Sequence, residues 1–189
     1  MASDVATPRN CTDAELLLLG LTAEKPRHGY QLEQEIERRS MREWTRIGFS
    51  SIYFVLDKLK RAGLVSAKKP AGGKAKRTFT LTAAGRRTLV TQTLAALRTY
   101  RPTYSSLLLG MMHWPALTRD QALGALTARA QAVSAELARL EAIRVDQQPL
   151  PDYVDGLFDF SIGQLEAEAD WIARTLAYMK TKPWLECYE

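Results

Sequence analysis

The sequence predicts a mainly α-helical chain of 189 residues with one small β-hairpin, built as two dissimilar halves. Three observations carry this. Apolar residues recur at helical spacing up to residue 63, shift to two short extended runs around a Pro/Gly tip at 70–73, then return to helical spacing. The second half holds two long heptad runs separated by a proline-containing link. Charge is divided as well: residues 1–101 contain 19 Lys and Arg against 9 Asp and Glu, while residues 102–189 contain 7 against 12. The net +5 therefore hides a basic half made to meet a polyanion and an acidic half that is not.

Residues 1–11 are small and polar and read as a flexible arm. Thr12 and Glu15 have the spacing of a capping box ahead of the leucine run 16–21, which starts a helix. Pro26 and His28-Gly29 break it. A second helix is expected from 30 to 39, with Leu32 and Ile36 on one face. A turn at 48–51 leads into a third, where Ile52, Val55, Leu56 and Leu59 make the inward stripe and Gly63 is the terminator. Residues 64–67 and 77–81 read as the two strands of a hairpin. Thr82 caps a fourth helix that runs through Leu89, Leu94 and Leu97 and ends by Pro102. Three helices, a hairpin and a helix form the order of a winged helix-turn-helix, which places a nucleic-acid-binding domain at 12–101.

In residues 102–189, Thr118 and Gln121 form another capping box. Leu123, Leu126, Ala130, Val133, Leu137 and Leu140 follow at alternating spacings of three and four. After Pro149 and Pro151, Asp152 is the expected cap of a second long helix carrying Phe158, Ile162, Leu165, Ala169, Ile172, Leu176 and Met179. The two helices, 119–144 and 152–180, form an antiparallel hairpin. A two-helix unit has more apolar seam than it hides alone, so Leu123, Leu126, Val133, Leu137, Leu140, Ile162, Leu165, Ile172 and Leu176 are assigned to dimerisation.

Other classes find little support. No apolar run approaches the ~20 residues that cross a bilayer, so no membrane partner is expected. The two histidines stand far apart, and no Cys/His/Asp/Glu set has metal-ligand spacing, so neither a metal nor a cofactor is expected. Phosphate-binding, dinucleotide and nucleophile-elbow motifs are missing, and an enzyme is not predicted. Cys11 and Cys187, near opposite ends, suit a reducing cytosol.

The third helix is the candidate DNA reader, because an α-helix fits the major groove. Ser50, Ser51, Tyr53, Phe54, Lys58 and Arg61 stand at or beyond the edge of its apolar stripe. Around the hairpin tip, Lys68, Lys69, Lys74, Lys76 and Arg77 are placed to neutralise flanking phosphates, a contribution that sets affinity and register without reading bases.

Leu19-Gly20-Leu21, Arg27-His28-Gly29-Tyr30, Ser51-Ile52-Tyr53 with Leu56-Lys58-Leu59, Gly63-Leu64-Val65 and Leu81-Thr82-Ala83-Ala84-Gly85 follow one another at spacings that resemble the PadR family of bacterial and archaeal regulators. The resemblance covers about residues 12–100, and the long C-terminal helices are similar to those of a PadR subgroup with a multi-helix dimerisation domain. It implies a homodimer on palindromic operators. Its members usually repress nearby genes and are sometimes released by a small aromatic or hydrophobic ligand. By the same analogy the Ser51/Tyr53 block faces DNA, and Tyr30 packs between helices with its hydroxyl toward a phosphate. Phe49 stands where the family favours a smaller residue. Aromatics outside the seams, with His113, Trp114 and Trp171 foremost, are the candidate effector site. The alternative is a winged-helix protein-interaction module that reads no DNA sequence.

Overall fold

A computed structural model describes residues 10–45, 47–48, 51–68 and 77–184, which fall into two compact units, residues 1–102 and 103–189. The first begins with α1 (Asp13–Glu24). Its capping box forms as predicted: Thr12 Oγ1 accepts from the Glu15 N–H, and the Glu15 carboxylate accepts from the Thr12 N–H at 2.9 Å. The leucine run leaves α1 apolar around most of its circumference, so the helix is central to the first unit, with Leu18, Leu19 and Leu21 buried.

Next come β1 (Arg27–His28) and α2 (Gly29–Arg38), the latter burying Leu32 and Ile36. The sequence predicts only a break at 26–29. A two-residue strand has no period to read, and its existence depends on the strand Thr78–Leu81 offering a free edge. α3 (Ser51–Arg61) buries Ile52, Val55, Leu56 and Leu59, the stripe its spacing predicts. Gly63 ends it with φ +71°, and the Leu64 N–H donates to the Leu59 carbonyl, satisfying the last turn.

β2 (Val65–Lys68) and β3 (Thr78–Leu81) pair antiparallel, with Val65 opposite Leu81 and Lys68 opposite Thr78. β1 adds to the other edge of β3, Arg27 opposite Phe79, giving the order β1-β3-β2. Thr82 caps α4 (Ala83–Arg98) by accepting from the Gly85 N–H, and its hydroxyl donates back to the Gly63 carbonyl at 2.8 Å. A Cβ on Gly85 would lie 2.0 Å from the Leu64 carbonyl oxygen, so α4 and the end of α3 approach at a distance that only glycine permits.

The second unit starts with α5 (Ser106–Met112) and a short 3-10 turn (Trp114–Ala116), neither legible from spacing. α6 (Arg119–Asp146) and α7 (Asp152–Thr181) run antiparallel. Arg119 at the start of α6 donates to the Met179 and Lys182 carbonyls at the end of α7, Arg129 meets Glu168, and Arg144 forks onto Asp155 at 2.8 and 2.7 Å. Pro151, not Asp152, is the N-cap of α7, and Asp152 is its first helical residue. Proline's fixed φ places residue 151 in the extended cap conformation, and the Asp152 carboxylate instead complements the helix dipole from the first turn.

The seam residues are used within the chain. Leu126, Val133, Ile172 and Met179 form a buried cluster with Ala122, against which Leu123, Leu165 and Leu176 pack partly buried, and Leu140, Phe158 and Ile162 are buried as well. Leu137 is half-buried on the same helix as Val133. Heptad spacing identifies a seam without saying which helix fills it, and within one chain α6 and α7 fill much of it for each other. The fold is a winged helix-turn-helix followed by an antiparallel helical hairpin.

Candidate nucleic-acid interface

With its apolar stripe buried, α3 leaves a row of side chains outside. Tyr53 is 54% and Phe54 64% exposed, and Asp57, Lys60 and Arg61 are exposed with them. Tyr53 is seated by α2. A Cβ on Gly29 would lie 2.5 Å from its Cε1, so the glycine that opens α2 makes room for the ring. Between α3, the start of α2 and β3 lies a groove of about 380 Å³, lined among others by Tyr30, Tyr53, Asp57 and Arg77. Tyr30 is half exposed at this groove, where the family analogy expected it between helices.

His28 is the N-cap residue of α2, and its backbone N–H donates to Gln31 Oε1. Its Nδ1 lies 3.0 Å from Thr78 Oγ1 and 3.2 Å from the Arg77 carbonyl oxygen, so the ring fastens the start of α2 to β3. Lys68 ends β2 and is exposed, and Arg77 immediately precedes β3 with its side chain largely in solvent, 3.9 Å from the Asp57 carboxylate. The base of the hairpin thus holds two cations beside α3. Ser50, Lys69, Lys74, Lys76 and Phe49 lie outside the described residues, as does the side chain of Ser51, whose backbone opens α3.

Lys58 is elsewhere. Its Nζ lies 3.1 Å from Glu15, whose side chain is 1% exposed. A carboxylate taken out of water needs a countercharge, and this lysine supplies it, joining α3 to α1. The sequence places Lys58 at the edge of the stripe; it cannot show a buried acid 43 positions away on another helix.

A second electrostatic group supports the start of α2. Arg27 is buried, with Nη1 donating to the Leu21 carbonyl and Nη2 to Glu24 at 2.8 Å. Glu24 also binds Arg39, and Glu35 binds Arg38 and Arg39 at 2.8 Å each. The Arg38 hydrogen bond, aided by the charges of Arg39 and Arg27, holds the Glu35 carboxyl at about 2 against the desolvation that opposes it. Glu24 is lowered too, chiefly by its bond to Arg39. The cluster fixes the end of α1 relative to α2, and so the frame in which Gly29 and Tyr30 stand.

In the second unit, Trp114 packs on the α6–α7 cluster and meets Trp184, ring centroids 5.6 Å apart. Trp184 Nε1 donates to the Leu117 carbonyl at 2.9 Å. Trp171 packs on the same cluster, whereas His113 is exposed and ends α5. Trp184 and Asp57 are the residues that sequence reasoning left out, and Gly29 it gave only as a helix break and part of a family block. Of these, Asp57 was signalled by its charge in a basic stretch.

Residues 18–91 match the transcriptional regulator PadR-like family. Among solved structures the chain is similar to Bacillus subtilis PadR in complex with operator DNA, at 20% identity and a TM-score of 0.70 over 87% of this chain and 98% of that one. It is similar to the same protein in complex with p-coumaric acid, at 20% identity and 0.72 over 88% and 98%. The PadR-like transcriptional regulator BC1756 from Bacillus cereus is 16% identical, with a TM-score of 0.66 over 90% and 100%. These likenesses establish the fold. Comparison with curated protein sequences finds no match.

Proposed function

We propose that this chain, whose residues 18–91 match the PadR-like family of transcriptional regulators, is a sequence-specific DNA-binding regulator acting as a homodimer on a palindromic operator, as a repressor. The observation that carries the reading is the single groove that Tyr53 and Asp57 of α3 line together with Arg77 at the base of the wing. α3 enters the major groove, with Tyr53, Phe54 and Arg61 nearest the DNA and Tyr30 at the bordering backbone. Lys68 and Arg77, with Lys74 and Lys76 at the tip, neutralise flanking phosphates. Lys58 is assigned to the fold.

The twin is met through what the chain leaves uncovered. Val90, Leu94 and Leu97 on α4, and Tyr153, Leu157 and Phe160 on α7, are exposed and recur at i, i+4, i+7. Each set is an apolar row that a solvated helix has no use for. Two copies hold their α3 helices about one turn of DNA (~34 Å) apart. The complex of the similar B. subtilis protein with p-coumaric acid supports a small aromatic effector here, with Trp114 and Trp171 the candidates to sense it.

Fluorescence anisotropy on DNA from the chain's own promoter region, over a salt series, tests the reading. The slope of log affinity on log salt is expected to be steep, and Arg77→Ala and Lys68→Ala each to flatten it by about 0.9. A shallow slope that neither substitution changes would favour the protein-docking alternative. Tryptophan fluorescence titrated with hydroxycinnamic acids tests the effector; no response, together with unchanged operator affinity, removes it.

A further inference from the structure

Between residues 44 and 119 the sequence holds 14 Lys and Arg and a single Asp or Glu, Asp57. That one acid lies on α3, in the row Tyr53–Asp57–Arg61 at i, i+4, i+8, on the side opposite the buried stripe. Its carboxylate is exposed and borders the open groove. The Arg77 guanidinium, at 3.9 Å, is beyond hydrogen-bond distance, and such an exposed pair contributes little to stability. A carboxylate also opposes every phosphate brought near it, so folding and general DNA affinity both leave Asp57 unexplained.

We propose that Asp57 is a specificity-determining residue that reads a base amine in the major groove. The inference rests on the DNA-binding role proposed above. A carboxylate only accepts hydrogen bonds. Most groups that DNA presents to it, namely phosphate oxygens, guanine O6 and N7 and thymine O4, are acceptors and repel it. The exocyclic amine of cytosine is the major-groove donor suited to Asp. At an operator that places cytosine opposite residue 57, the carboxylate is satisfied; opposite guanine or thymine it is desolvated against acceptors, and opposite adenine the N6 amine stands beside the N7 acceptor that repels it. Arg77, 3.9 Å away, offsets part of the phosphate field at that point. The acid thus weakens binding to the bulk of DNA and spares the correct site.

Sequencing the duplexes retained from a random-sequence pool tests this with the full chain as wild type, Asp57→Ala and Asp57→Asn. Asp170→Asn, an exposed acid on α7, controls for net charge alone. Wild type is expected to enrich a palindrome with a fixed cytosine in each half-site, and changing that base to thymine to weaken it roughly 10-fold. Asp57→Ala should become indifferent at that position and bind random duplex about 5-fold tighter. Asp57→Asn should shift the preference to adenine, whose N6 and N7 match an amide. Asp170→Asn should behave as wild type. Enrichment of the same palindrome with the same base frequencies by wild type and Asp57→Ala overturns this inference and leaves the DNA-binding role standing. Failure of wild type to enrich any sequence overturns both.

Discussion

Gly29 and Tyr53 show how one atom of space sets the surface proposed to meet DNA. The ring of Tyr53 occupies the place a Cβ at residue 29 would need, at 2.5 Å. Gly29→Ala is therefore expected to push the ring off α2 while the helix itself persists. Operator affinity should fall several-fold with little change in melting temperature, which anisotropy and circular dichroism together would show. Lys58 makes the converse case. Removing its ammonium takes a countercharge from the buried Glu15, and because the lysine is itself partly exposed the cost of Lys58→Met should be about 2 kcal/mol. Urea unfolding measures it; unchanged stability would return Lys58 to the DNA face. The Thr12/Glu15 box was legible because capping is local. The Lys58 partner was not, because charge pairing across 43 residues depends on how α1 crosses α3.

At the scale of elements, two junctions hold the winged domain in register. α4 meets the end of α3 at Gly85, where a methyl would collide with the Leu64 backbone and neither side is free to move aside. Gly85→Ala should cost roughly 2–4 kcal/mol in urea unfolding, more than helix propensity would suggest, since alanine is otherwise the better helix former. The α1–α2 junction is ionic. Glu35 titrates at about 2 in the folded chain and near 4.5 in the unfolded one, so its contribution is complete above about pH 4.5 and is lost as pH falls toward 2. Glu24 acts in the same direction. Glu35→Gln should lower stability at pH 7 and flatten the decline below pH 4.5 in melts across the acid range. Helices with a clear stripe or cap were legible at this scale. β1 was not, because a strand of two residues is made by its neighbour's edge, and α5 was not, because seven residues carry too few turns for a period.

For the whole molecule, the assignment of seams decides what remains for a partner. Val133 and Ile172 are buried between α6 and α7, which leaves the exposed rows on α4 and α7 as the surface for the proposed twin. Leu97→Asp and Leu157→Asp are expected to shift the protein from twice its 21.2 kDa chain mass toward one in light scattering, and to weaken binding to palindromes more than to single half-sites. Val133→Asp should instead unfold the hairpin. Dimers persisting through both outer substitutions would place the contact elsewhere.

The sequence by itself determined the order of the principal elements, the inward face of each long helix, three of the N-terminal caps and the basic character of the first half. These are properties of neighbouring residues, set by periodicity, side-chain hydrogen bonds a turn away and net charge. The tertiary structure alone decided that the heptad seams close on each other, that Lys58 belongs to Glu15, that Gly29 yields its space to Tyr53 and that the lone acid of the basic stretch stands beside Arg77. The physical reason is the same in each case. A side chain's partner is fixed by the crossing of elements distant in sequence, and one-dimensional spacing specifies faces without specifying what they meet.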